Sequence, residues 1–201
     1  MLVLVAALVL NGSYAFTAKT GELSLTVPKT PAFCVVLPEA TLNPDGCVNE
    51  SVETLEHKRT ALSQNKTNAL IADADKGTLL IIVRDYEVKA RKGTPSEEAK
   101  AWFGRYLKKE TDEGRELTFE AGAKIFDVQS FNGVQTAHAA AAHELPDGKW
   151  HEIHWLVLTP KHDYDVMVQS SGTHDLAELG KTVMSTLQVP AAARLQLEGK
   201  K

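Results

Sequence analysis

Cysteine is scarce in this chain: two, Cys34 and Cys47, occur in 201 residues. They form no CxxC pair, so the common zinc and thiol-redox motifs are not available. Also missing are a nucleophile elbow, a phosphate loop, an HExxH helix and a dinucleotide fingerprint, which leaves no motif for a catalytic role or for a cofactor. The net charge of −4 argues against a nucleic-acid or anionic-membrane partner. No apolar run reaches the ~20 residues of a transmembrane helix.

The chain does have an apolar start. Residues 1–10, MLVLVAALVL, carry no polar side chain, and their length falls within that of a secretory h-region. Ser13-Tyr14-Ala15 then places small residues where a signal peptidase reads, so residues 1–15 are expected to be a signal peptide cut after Ala15. No Lys or Arg precedes the run, and the alternative is a buried first element of the domain. A secreted or periplasmic location follows from the signal, and in that oxidising setting Cys34 and Cys47 are expected to be paired. Asn43-Pro44-Asp45-Gly46 turns the chain back between them, and a bridge closing this loop would stabilise the fold by about 3 kcal/mol.

Residues 16–190 are long enough for one domain with a sizeable core, and 43% apolar and 24% charged residues are ordinary globular values. The expected class is α+β. Residues 22–27 alternate apolar and polar, 33–37 form a short apolar run, and 68–73 and 78–86 bracket Asp75-Lys76-Gly77 as a hairpin. Leu79-Leu80-Ile81-Ile82-Val83 is apolar on both faces and therefore central in a sheet. Thr94-Pro95-Ser96-Glu97 is a capping box that opens a helix, whose Ala99, Trp102, Phe103, Tyr106 and Leu107 form one stripe. Core packing is the plainer use of that stripe, and it leaves little room for the cavity of a hydrophobe carrier. From Lys124 to Ser170 four strands alternate with turns at Asn132-Gly133, Asp147-Gly148 and 160–163. Asp175 and Glu178 cap a last helix that Pro190 ends, and residues 191–201 read as a flexible tail.

This order resembles the PsbP-like family. The best local match is Tyr164-Asp165-Val166-Met167-Val168-Gln169-Ser170 followed by residues 175–189, in which a last strand leads through a polar loop into a helix and a terminal Ser185-Thr186-Leu187 segment. The resemblance implies a central antiparallel sheet flanked by helices and an extrinsic, accessory, non-catalytic role. It carries over no functional residue.

Five of the seven histidines, His138, His143, His151, His154 and His162, fall in the meander. With two-residue turns, Phe131 lies opposite Val134 and Pro146 opposite Lys149. Asp127 then faces His138 beside Trp155, a pair whose carboxylate would raise the histidine pKa. His143, Glu152 and His154 lie within a diagonal of one another and could hold a transition metal. For each group an ordinary cross-strand ion pair is the plainer alternative. Counting by twos puts Asp127, Gln129, Thr136, His138, His151 and Trp155 on one face. Phe126, Val128, Ala137, Ala139, Ala141, Leu156 and Leu158 take the other, which should lie under a helix. The basic cluster Lys89-Ala90-Arg91-Lys92 reads as a solvated turn rather than an anion site. Asn49 and Asn65 open glycosylation sequons too short to be informative.

The expected function is therefore an exported, monomeric accessory or binding protein that holds an envelope protein or a small ligand on the open face of its sheet. The alternative is an exported metal-binding or hydrolytic protein that uses the histidine-rich meander.

Overall fold

The computed structural model describes residues 13–18, 20–28, 34–36, 67–74, 77–113, 117–119, 126–145 and 148–197. Cys47 and both sequon asparagines lie outside them, as does the side chain of Cys34. Among these residues ten strands and two α-helices follow in order: β1 (Ser13–Thr17), β2 (Ser24–Pro28), β3 (Cys34–Val36), β4 (Thr67–Ala74), β5 (Gly77–Glu87), α1 (Pro95–Asp112), β6 (Leu117–Phe119), β7 (Asp127–Phe131), β8 (Val134–Leu145), β9 (Gly148–Leu158), β10 (His162–Ser170) and α2 (Leu176–Met184). The fold is α+β, and every strand pairing in it is antiparallel.

β1 and β2 form a separate ribbon, and the main sheet has the order β3-β4-β5-β10-β9-β8-β6, with β7 also paired to β8. The strand expected to be central, β5, lies in the interior of this sheet between β4 and β10. β1 begins at Ser13, before the expected cut, and its Phe16 and Thr17 pair with Leu25 and Ser24.

Asn132 and Gly133 both take positive φ, 51° and 75°, which is the turn geometry that sets the expected Phe131–Val134 pairing. The next hairpin departs from expectation. Leu145 pairs with Gly148, so His143 lies opposite Trp150 rather than Glu152. Moving the turn by one residue shifts each partner by two, which preserves the faces because side chains alternate with period two.

Among the described residues both faces of the sheet around β8, β9 and β10 are covered, which corrects the expectation of an open binding face there. On one, Ile81, Val83, Trp155, Val157, Val166 and Val168 pack against Leu176, Val183 and Met184 of α2 and Leu25 and Val27 of the ribbon. A Cβ on Gly180 would stand 1.9 Å from the Trp155 ring, so α2 seats only because this position is bare. On the other face, Ala137, Ala139, Leu156 and Leu158 meet Ala99, Trp102 and Phe103 of α1. The small alanine row admits the bulky helix stripe, as the face count predicted.

Residues 191–197 are not a loose tail. Leu195 and Leu197 join the α1 cluster, and the Leu197 amide donates to Gln135 Oε1 at 2.6 Å while its carbonyl accepts from the Ser96 hydroxyl. Two leucines with a prepared apolar slot are enough to order a short segment. The two ends of the described chain also meet. Ser24 and Gln188 exchange backbone hydrogen bonds of 3.0 and 2.8 Å, and the Thr26 amide donates to Thr186 Oγ1 at 2.7 Å.

Candidate functional site

Beneath α1, the alternation of β9 turns Glu152 and His154 inward, and both are fully buried, as is Asp165 of β10. The register explains how they meet. Gln169 lies opposite Glu152 and Arg84 lies opposite Asp165, while Asp165 reaches His154 along a diagonal. His154 donates from Nδ1 to Asp165 Oδ1 at 2.8 Å and from Nε2 to Glu152 Oε1 at 3.1 Å. Arg84 Nη1 donates to Asp165 Oδ2 at 3.2 Å, and the Tyr106 hydroxyl donates to Glu152 Oε1 at 2.9 Å. Charge of alternating sign thus runs from Arg84 through Asp165 and His154 to Glu152.

Burial favours the neutral imidazole, but Asp165 and Glu152 outweigh it, and the His154 pKa is raised to about 9. The rings of Tyr106, Trp102 and Phe103 lie 4.8, 6.0 and 6.3 Å from the imidazole in edge-type contacts. Burial also acts on Tyr106, whose phenol is pushed up, with the Glu152 charge adding to the effect. A histidine held protonated, with both nitrogens committed to carboxylates, is a fixed charge rather than an exchanging base.

The sequence reading placed Glu152 and His154 together and grouped His143 with them. The side chain of His143 lies outside the described residues. Among those described, no three His, Cys, Asp or Glu side chains are placed to hold a metal ion. Asp165 and Arg84 were missed. The available signal was an acid inside Tyr164-Asp165-Val166-Met167-Val168, a strand too apolar to bury a carboxylate without a cation.

Asp127 does pair with His138 in register, and the His138 ring lies 5.3 Å from Trp155. The expected rise in the His138 pKa is reversed. Burial lowers it, and the positive charges of His154 and Lys181 add to that effect against the pull of Asp127.

Along α1 a cleft of about 830 Å³ opens between the helix and the β5–α1 loop. Its wall carries Lys89 and Lys92 from the loop and Arg105 and Lys109 from the helix, with Tyr86, Trp102 and Tyr106 between them. Trp102 and Tyr106 stack one helical turn apart at 5.5 Å, and Tyr86 meets Trp102 edge-on at 6.2 Å. Tyr86, 38% accessible, is the one exposed large hydrophobic side chain among the described residues.

The loop is no solvated turn, because Arg91 ties it down. Its guanidinium donates to the carbonyls of Thr159 and His162 and contacts Glu98 at 2.6 Å and Asp163 at 2.7 Å. Glu98 in turn accepts from the amides of Lys92 and Gly93 at 2.6 and 3.3 Å. Arg91 is thereby neutralised, whereas Lys89, Lys92 and Arg105 are solvent-exposed and make no ion pair among the described residues.

No family model matches the sequence, and a search of curated proteins found no match. Among solved structures, the fold is similar to the solution structure of cyanobacterial PsbP (CyanoP) from Synechocystis sp. PCC 6803. That similarity has a TM-score of 0.52 and 11% identity over 94% of this chain and 98% of that one. A crystal structure from Bacteroides thetaiotaomicron aligns with a TM-score of 0.49 and 10% identity over 90% of this chain, which spans 49% of that protein. The immunity protein TplEi of a T6SS from Pseudomonas aeruginosa, solved with an "L" peptide, aligns with a TM-score of 0.34 and 10% identity over 88% of this chain and 74% of that one. At these identities the likeness concerns the fold, which is PsbP-like.

Proposed function

We propose that this chain is an exported, non-catalytic accessory or binding protein of the cell envelope or extracellular space, and that its partner is held in the cleft beside α1. The anchored β5–α1 loop carries this reading. Arg91 fixes a segment whose cationic side chains point to no internal partner, and a rigid scaffold presenting a polar loop is the usual setting for binding. The PsbP-like fold is compatible with an accessory role. The other titratable cluster is consumed internally, since both nitrogens of His154 already bond to carboxylates.

The apolar run of residues 1–10, followed by Ser13-Tyr14-Ala15, supports export, and among the described residues no helix is long and apolar enough to cross a membrane. Cleavage after Ala15 would leave Phe16 and Thr17 to pair with β2. In that setting Cys34 and Cys47 form a disulfide and the protein acts as a monomer.

Fractionating cells and weighing the intact protein tests this. The expected product starts at Phe16, lies outside the cytoplasm and gains the mass of two hydrogen atoms on reduction. A full-length product retained in the cytoplasm would overturn export. Cross-linking in envelope fractions, with the mature protein as bait, is expected to trap one partner reproducibly through Lys89 or Lys92.

A further inference from the structure

We infer that the cleft recognises an acidic peptide segment with an apolar or aromatic residue at its centre, which rests on the binding role proposed above and gives it a ligand class. The cations come from two different elements. Lys89 and Lys92 stand on one wall, and Arg105 and Lys109, one helical turn apart, stand on the other. A point anion would need these cations to converge, whereas a chain bearing several carboxylates meets them in succession.

Their charge is available. Arg91 is spent on Glu98 and Asp163, and Lys109 has only a long 3.7 Å contact with Glu113. Four cations, Lys89, Lys92, Arg105 and Lys109, against one exposed acid, Glu87, make the rim locally basic on a chain of net charge −4. Charge complementarity of this kind steers an acidic partner and sets its register.

A further observation favours a peptide. Tyr86 stays exposed against the edge of Trp102, where it offers an aromatic surface to an apolar side chain.

The test uses a fluorescein-labelled peptide of glutamates around one phenylalanine, read by anisotropy against the full chain. A peptide with lysines in place of the glutamates serves as control. The acidic probe is expected to bind saturably, weakening steeply between about 0.05 and about 0.5 M salt. The double variant Lys89→Glu with Arg105→Glu should weaken it by about tenfold or more, and Tyr86→Ala should weaken it less and without changing the salt dependence. All three positions are exposed, and an unchanged melting temperature checks that the variants fold.

Equal binding of both peptides, an unaffected double variant, or saturable binding of inorganic phosphate or phosphatidylglycerol vesicles in place of the peptide would each overturn the proposal. Envelope cross-linking with the double variant separates the two readings. If the natural partner is still trapped while the acidic probe never binds, the accessory role stands and this ligand class fails.

Discussion

The two faces of the main sheet are built from the same strands yet have different interiors. Along β9, Trp155 and Val157 point toward α2, where they join a largely apolar cluster closed by the ribbon. Glu152, His154, Leu156 and Leu158 point toward α1. The α2 face is held by shape, since Gly180 and Trp155 interlock without a gap. The α1 face is held by charge as well as by burial, and it is also the face beside which the cleft opens. The contrast shows that alternation assigns residues to faces but does not decide what kind of interior each face becomes. Partners arriving from distant strands decide that.

The largest test of the contrast is His154→Ala. It leaves Glu152 and Asp165 buried with Arg84 as their principal remaining cation, and should cost about 3 to 5 kcal/mol in a urea unfolding curve. A loss below about 1 kcal/mol would mean that the α1 face is held by packing alone.

The pH dependence sharpens the same point. The His154 pKa is raised in the fold from 6.5 to about 9, so its stabilising contribution is fully present below pH 6.5 and is lost as pH rises through 9. That loss is of order 3 kcal/mol. Thermal melts from pH 6 to 10 should show the decline in the parent chain, and the decline should be largely absent in His154→Ala.

On the α2 face, Gly180→Ala should cost about 1 to 3 kcal/mol by overpacking against Trp155. It should leave the pH profile of stability intact. A variant as stable as the parent would show that helix and indole can separate freely. The smallest effect is expected at the start of α1. Thr94→Ala removes the side-chain acceptor for the Glu97 amide, bonded at 3.3 Å, at a cost of about 1 kcal/mol. Faster hydrogen exchange should appear in the first turn of α1 and not in α2.

What was legible in the sequence was what local chemistry dictates. The capping box at Thr94-Pro95-Ser96-Glu97, the Asn132-Gly133 turn and the sorting of residues onto two faces all need neighbours only a few positions away. Glu152 and His154 were readable as companions because they share a strand. Asp165 and Arg84 were not. Their pairing depends on β10 lying beside β5, a contact across 81 residues that no turn residue announces. The misplaced second hairpin has a local cause, because Asp147-Gly148 is a favourable turn pair but Gly148 instead begins β9 opposite Leu145. Arg91 was misread because a charge run looks solvated until the carbonyls of Thr159 and His162 are brought to it. β1 was absorbed into the expected signal, and the three residues of β6 are too few to show a period.

The Ser24–Gln188 bridge and the Thr26–Thr186 bond have a consequence for the time course of folding. They join segments 160 or more residues apart, and β2 covers the same apolar face that α2 closes. That core stays open until the last helix has been synthesised, because one wall of it comes from each end of the chain. Contacts of such long range slow folding. A growing chain with this topology leaves the α2 side of its sheet uncovered until α2 has been made.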